Sequence, residues 1–405
     1  MGRRFGRRAF LRFISAGSLS ALGGWGRPTT TRGVDAMDRN LLDCIEASDV
    51  AGASALLARR IKEGMDPWEI HLSLFPVVQR VLNPPFINPH LPKMYRVCRD
   101  LAPFLSQDKI AALVSLEVSE YARRPKMDKI RRENALPSPA TFQDIEMAIK
   151  ENDPAKACVL MAAFLEQKGG TELARCLLLL GSGYLNNSLG HSVSCTAFIL
   201  SEMLERTDQD PWPALSALAS YFCKGRFHTT SVPKTIAPTL PKAMPGINLL
   251  RATSGLGIVN LHQTITWYAI ERVRKLLTQE NYSHMANAWI RFLGDKQEEK
   301  VTLKEGEGEV VEDYDRFYKT FSEMKTGPVM ASSIRMIASE EGRYKLGRFL
   351  IQGLGDKYQG SYDPHYLTGL GSALWILEHY WKDTPIATNA LYQYLDFFFS
   401  GLRGK

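Results

Sequence analysis

Apolar residues recur every three or four positions along most of the chain, and this spacing predicts amphipathic helices. The clearest stretches are residues 41–62, 142–166 and 273–292. Strand-like alternation is confined to residues 301–311, which predict either a small hairpin or a charged loop. The pattern as a whole predicts an all-α fold.

The first half of the chain contains an internal duplication, because Leu41–Gly64 matches Ile145–Gly169 at an offset of about 104 residues. The matched pairs include Asp49 with Asp153, Ala53 with Ala157, and Leu56 with Leu160. We expect these two units to form superposable helical structures, since duplicated packing needs small and large residues on the same faces.

Four helical hairpins, which we call cassettes, each open with a histidine, turn about fifteen residues later and close near residue thirty. The first two belong to the duplication, and the other two are shorter. The four histidines are His90, His191, His262 and His365. The predicted organisation is a leader and spacer over 1–36, a duplicated domain over 37–230, a Pro-rich linker over 231–248 and a second helical domain over 249–405.

The repeated histidines have a structural and a functional interpretation. A histidine at a helix start can bond backbone groups of a nearby turn, and a duplication would copy it. Only eight of the 405 residues are histidine, however. If the four helix starts converge, their imidazoles could bind a cofactor or a metal such as iron, copper or zinc, or could move protons.

Other candidate groups are less specific. His191 and Cys195 lie one helical turn apart and could share a metal. Four glutamates could act as bases or as partners of the histidines, or could lie on solvated faces: Glu202, Glu205, Glu271 and Glu378. The Glu-x-x-His motif of di-iron bundles, the Gly-x-Ser-x-Gly motif and phosphate-binding glycine loops are absent from the sequence.

The positive net charge of the chain comes from its N-terminus. The formal charge is +7, but seven arginines precede the first acid, Asp35, and the rest of the chain has 43 basic and 43 acidic residues. A nucleic-acid partner is therefore not expected. The content of 45% hydrophobic residues is enough for a large core.

The first residues resemble a twin-arginine export signal, with Arg7 and Arg8 ahead of Phe10 and Leu11 and a weakly apolar stretch behind them. The resemblance implies a periplasmic or otherwise exported protein whose partner is the twin-arginine translocase. It also implies export in the folded state, which is common when a cofactor is inserted first. The alternative is a basic, disordered arm. Cleavage would fall near residues 24–36, or the leader would stay as an anchor. We expect no other transmembrane segment.

Six cysteines lie in the first 223 residues, and none forms a Cys-x-x-Cys pair. Most of them sit among apolar residues in helical patterns. We therefore expect buried thiols rather than disulfides or metal ligands.

The histidine-headed, Ala/Leu-rich helices after His191 and His262 resemble those of the questin-oxidase-like proteins. That resemblance implies an all-helical oxygenase of the Baeyer–Villiger type that acts on polycyclic aromatics. The leading hypothesis is thus an exported oxidoreductase with a His-lined interior pocket and a small-molecule ligand. The alternative is a non-catalytic periplasmic helical-repeat protein that binds a ligand or serves as a scaffold.

Replacement of Arg7 and Arg8 by lysine should leave the folded protein in the cytoplasm, because the translocase reads the arginine pair specifically. Cell fractionation of the wild type and the double variant measures this. Equal periplasmic amounts of the two proteins would contradict the assignment of the leader.

Overall fold

A computed structural model describes residues 38–132, 139–227, 244–294, 313–357 and 363–403. Every regular element in these ranges is helical, so the predicted all-α fold is confirmed. The export signal, the segment 301–311 and residues 228–243 of the Pro-rich region lie outside the described residues.

Twenty α-helices occur in the described ranges. They are α1 (Asp38–Glu46), α2 (Val50–Lys62), α3 (Pro67–Ser73), α4 (Phe75–Val78), α5 (His90–Leu101), α6 (Gln107–Arg123), α7 (Phe142–Lys150), α8 (Pro154–Lys168), α9 (Gly170–Ser182), α10 (Leu185–Ser188), α11 (His191–Glu205), α12 (Trp212–Gly225), α13 (Met244–Ser254), α14 (Ile258–Arg272), α15 (Gln279–Leu293), α16 (Tyr314–Ser322), α17 (Thr326–Ile337), α18 (Glu340–Lys357), α19 (His365–Tyr380) and α20 (Thr384–Arg403).

Each of the three long apolar stretches of the sequence forms two helical segments instead of one continuous helix. Residues 41–62 and 142–166 break before Asp49 and Asp153, whose carboxylates cap the next helix by accepting the backbone N–H of Gly52 at 2.8 Å and of Lys156 at 2.9 Å. Residues 273–292 break at a short 3₁₀ turn before α15. The apolar spacing continues across each break because the helices on both sides face one core.

The matched positions of the duplication have the same local roles. Asp49 and Asp153 are both N-caps, and Ala53 and Ala157 are both fully buried. The helix order α1–α6 recurs in α7–α12. In both units the last helix packs against the second one, so that α6 contacts α2 and α12 contacts α8. Superposition of the two units stays a prediction.

The same helix order appears a third time near the C-terminus, which the sequence comparison did not anticipate. Helices α16–α20 repeat the order without the four-residue helix, and α17 packs against α20. Met324 has a positive φ of 55° two residues before α17, just as Ser48 (60°) and Asn152 (57°) do before α2 and α8. In all three places, the turn between the first two helices therefore contains one residue in the left-handed backbone conformation.

The four histidine-bearing helices form a closed ring. Helix α5 packs against α11, α11 against α14, α14 against α19, and α19 against α5. Almost every side chain of α11 from His191 to Met203 is buried, and the same holds for α14 and α19. These helices are thus the centre of the fold rather than amphipathic surface helices. The predicted domain boundary lies between two of them, α11 and α14, which contact each other directly.

Ion pairs join the C-terminal ends of three of these helices, α5, α11 and α14. Arg96 and Arg99 of α5 bond the Glu202 carboxylate of α11 at 3.2 and 2.7 Å, and Arg96 also bonds Glu205 at 2.7 Å. Asp100 of α5 accepts from Arg272 of α14 at 2.5 Å. Since the histidines meet at the opposite end, the helices run parallel.

No helix in the described part of the chain has the length and apolar character needed to span a membrane. All six cysteines are free thiols, as expected, and four of them are buried: Cys98, Cys158, Cys195 and Cys223.

Glu202→Ala should lower the free energy of unfolding by roughly 3–5 kcal/mol, because Arg96 would keep its buried charge without this partner. The control is Glu151→Ala, which removes an exposed pair with Lys156 and should cost at most about 1 kcal/mol. Urea unfolding followed by circular dichroism measures both. Equal shifts for the two variants would show that the buried ion pairs do not hold the bundle together.

Candidate metal centre

The structure brings all four predicted histidines into one buried cluster. Ring centroids are 4.5 Å apart for His90 and His191, 4.4 Å for His191 and His262, 4.6 Å for His262 and His365, and 5.0 Å for His365 and His90. This cyclic order is the order in which their helices pack. None of the four residues is more than 8% exposed. The interpretation that the helix starts converge is therefore correct in its geometry.

Three of the helices begin at their histidine, as predicted, and one does not. His90, His191 and His365 are the first residues of α5, α11 and α19. His262 is the fifth residue of α14, because that helix already begins at Ile258. Its ring reaches the cluster from one turn inside the helix.

Each ring uses its Nδ1 atom to bond an oxygen of its own chain segment. The Nδ1–H groups of His90, His191 and His262 donate to the carbonyls of Asn88 (3.1 Å), Ser188 (2.7 Å) and Ile258 (2.7 Å). That of His365 donates to a carboxylate oxygen of Asp363 at 2.6 Å. Because a carbonyl or a carboxylate can only accept, the proton of each neutral ring must be on Nδ1. The structural interpretation, in which each histidine bonds groups of a nearby turn, thus accounts for the Nδ1 atom of each ring.

The other nitrogen, Nε2, carries a lone pair in all four rings. His90, His191 and His365 bring ligand atoms into one group, and His262 adjoins this group through His191. The Nε2 atoms of His191 and His262 are 3.1 Å apart. With the protons of both neutral rings on Nδ1, neither Nε2 atom has a hydrogen to share. The Nε2 atoms of His90 and His365 are buried without a hydrogen-bond partner. His90, His191 and His365 each place one ligand atom within 4.8 Å of the other two.

The donor set fits a transition-metal ion. Metal–imidazole bonds of 2.0–2.1 Å in a tetrahedral site separate the nitrogens by about 3.3 Å, close to the separation of His191 and His262. Four neutral imidazoles suit zinc, copper, iron or nickel. Three of the rings are anchored by backbone carbonyls and one by a carboxylate, which is the usual outer shell of metal-binding histidines.

Burial lowers the pKa of each of the four histidines, because desolvation disfavours the charged imidazolium. The charge of Lys93 on α5 lowers all four pKa values further, and neighbouring rings lower those of His90, His191 and His262, whereas Asp363 acts in the opposite direction on His262 and His365. The pKa of His191 and His262 falls well below 6.5, so a proton held between their Nε2 atoms is disfavoured at neutral pH.

One glycine allows α11 and α14 to approach at this end. Gly190 precedes α11 with a φ of +79°, and a Cβ atom there would overlap the Thr266 hydroxyl of α14. This close contact lies one turn beyond His262 and sets the spacing of the His191 and His262 rings.

The other predicted candidates do not belong to the cluster. Glu202 and Glu205 pair with arginines at the far end of the bundle, so they are neither bases nor partners of the histidines. Glu271 accepts a hydrogen bond from Tyr282. Glu378 lines a cleft of about 890 Å³ next to Asp100, at the same far end. The sequence placed each of these glutamates on a helix, but it did not show how far each one lies from the histidines.

Cys195 lies inside the bundle one turn beyond His191 but is not among the clustered ligand atoms. Burial raises the pKa of its thiol to about 11, so it stays a neutral thiol. The shared His191–Cys195 metal site is not supported.

Sequence reasoning missed two residues of the site, Asp363 and Lys93. Asp363 also accepts the backbone N–H of His365 at 2.9 Å, so the run Asp363-Pro364-His365 was a readable signal for a carboxylate that orients a histidine. Lys93 is fully buried three residues after His90. A lysine at that position gives no signal in the sequence.

Exposed apolar side chains lie close to the histidines in the chain. They lie immediately ahead of three of the histidines and are between 37% and 57% exposed: Phe86, Ile87, Leu189, Leu256, Ile258 and Val259. The Phe86 ring contacts the His90 ring at a centroid distance of 5.7 Å. Contiguous exposed apolar surface is typical of ligand or partner contact sites.

A fifth buried histidine belongs to a separate polar group. The His71 ring is stacked between Trp68 and Tyr95, and its Nδ1 atom lies 2.6 Å from the Glu117 carboxylate. Tyr121 donates to the same carboxylate at 2.8 Å. The carboxylate therefore has two buried partners of its own and is not a ligand of the histidine cluster.

Comparison of the chain with protein-family models, curated proteins and solved structures finds no match.

Nitrogen NMR of histidine-labelled, metal-free protein should show the Nδ1–H tautomer for the four cluster rings, because each Nδ1 faces an acceptor-only oxygen. Single His→Gln variants assign the four signals. A ring with its proton on Nε2 would contradict the assigned Nε2 lone pairs.

Proposed function

We propose that this protein binds a transition-metal ion through the Nε2 atoms of His90, His191, His262 and His365 and acts as an oxidoreductase. The observation that carries the proposal is the 3.1 Å approach of two lone-pair nitrogens, those of His191 and His262, in a buried place. Two acceptors at this distance repel each other unless a cation lies between them. Since the low pKa of both rings disfavours a proton, a metal ion is the better cation.

The ligand set indicates which chemistry the ion would supply. Iron, copper and zinc all accept imidazole nitrogen, and four neutral ligands leave the ion its full charge. An ion in that state serves as a Lewis acid and, for iron and copper, as a one-electron centre. The protein holds the rings rigidly through Asn88, Ser188, Ile258 and Asp363, so the site keeps its shape without the ion.

Three further points support an exported oxidoreductase rather than a scaffold. The leader resembles a twin-arginine signal, and that route carries folded proteins that often contain cofactors. The histidine-headed helices resemble questin-oxidase-like oxygenases of polycyclic aromatics, and the exposed apolar side chains ahead of the histidines suit contact with such an apolar ligand. A scaffold that only presents its outer surface has no use for a buried cluster of four histidines.

His262→Ala and His365→Ala should each abolish stoichiometric metal binding while keeping the helical content, because each removes one of four ligands near a helix start. The matched control is His284→Ala, which removes a buried histidine of α15 outside the cluster. Elemental analysis of protein purified from its native host, together with the absorption spectrum and circular dichroism, gives all three readouts.

Two outcomes would overturn the metal site. One is a wild-type protein without bound metal, both as purified and after incubation with iron, copper and zinc. The other is equal metal content in the His262→Ala, His284→Ala and wild-type proteins.

A further inference from the structure

The interior of the bundle contains a second unusual group, the amine of Lys93. Its side chain is fully buried, and its Nζ atom has no hydrogen-bond partner among the described residues. A buried amine without a partner is costly, whether it is charged or neutral. In the described part of the chain, the Lys93 side chain takes part in no helix cap and no ion pair, so the described fold gives no reason for a lysine there.

The amine is close to the histidine cluster. Lys93 follows His90 by three residues, so it lies on the same face of α5 and about 4.5 Å further along the helix axis. Long side chains in helices point back toward the N-terminus, which directs Lys93 toward the layer of histidines. Its charge acts on all four rings, since it lowers the pKa of each.

The charges around this point favour an anion. The four imidazoles are neutral, and the N-terminal ends of four parallel helices contribute positive partial charges. A bound metal ion would add further positive charge. Among the described residues, the carboxylate of Asp363 is hydrogen-bonded to His365, and its charge also acts on Lys93.

We propose that the histidine site takes a small anion as its second ligand, and that Lys93 holds this anion by a charge-assisted hydrogen bond on the interior side of the histidines. The inference rests on the metal site proposed above and assigns the chemical class of its exchangeable ligand. Lys93 is a binding residue for that anion and not a ligand of the metal.

The test uses azide as the anion and compares wild-type protein with Lys93→Met. In the copper-loaded proteins, azide binding is followed by its charge-transfer absorption, and metal content is measured separately. We expect equal metal content and at least tenfold weaker azide binding in the variant, because a buried charge-assisted hydrogen bond is lost. The control is Lys126→Met, which removes an amine that is bonded to Ser48 and to the Ala122 carbonyl.

A second measurement does not depend on the metal. Azide should raise the unfolding temperature of metal-free wild-type protein and of Lys126→Met, but not that of Lys93→Met. Without azide, Lys93→Met should be at least as stable as the wild type, because methionine replaces an unpartnered buried amine.

Each possible failure has a distinct result. Equal azide affinity in the Lys93→Met and wild-type proteins overturns the anion site. Loss of metal in Lys93→Met to the level of His262→Ala shows that Lys93 is a metal ligand and also overturns it. If the wild type binds no metal, the proposed function fails, and the azide-dependent unfolding temperature still decides the role of Lys93.

Discussion

The structure depends on one constraint: each of four buried imidazoles gives its single N–H to an oxygen of the polypeptide. That bond fixes the tautomer of the ring and directs the lone pair of Nε2 inward. Four such lone pairs cannot share hydrogens with one another. Their closest approach, 3.1 Å between His191 and His262, is the observation on which the proposed metal site rests. The packing of α5, α11, α14 and α19 around one another brings the four rings together.

The parallel arrangement of these helices brings like partial charges together, and charged side chains lie at both ends of the bundle. Parallel helices place like partial charges side by side, positive where the histidines lie and negative at the other end. At the negative end, arginines accompany the carboxylates: Arg96, Arg99 and Arg272 bond Glu202, Glu205 and Asp100. At the positive end, Asp363 contributes negative charge beside His365, and the amine of Lys93 is buried without a hydrogen-bond partner among the described residues. This difference between the two ends supports the proposed anionic ligand.

The repeated helix order explains how one chain builds such a ring. In three places a short helix, a left-handed residue and a second helix precede the histidine-headed helix. The second helix of each unit packs against the last one, α2 with α6, α8 with α12, and α17 with α20. Each of the three units contributes one histidine-headed helix, and α14, which lies outside these units, completes the ring. The site is formed between units, so no single unit contains it.

The sequence by itself determined the features that arise from local chemistry. Apolar spacing predicted the helices, and the rarity of histidine together with its repetition identified His90, His191, His262 and His365. Only the tertiary structure decided what these residues meet. Glu202 lies on a histidine-headed helix yet contacts arginines at the far end, whereas Lys93, which gave no signal in the sequence, lies next to the cluster. The physical reason is that periodicity fixes the face of a helix, while the neighbours of that face depend on which distant helices pack against it.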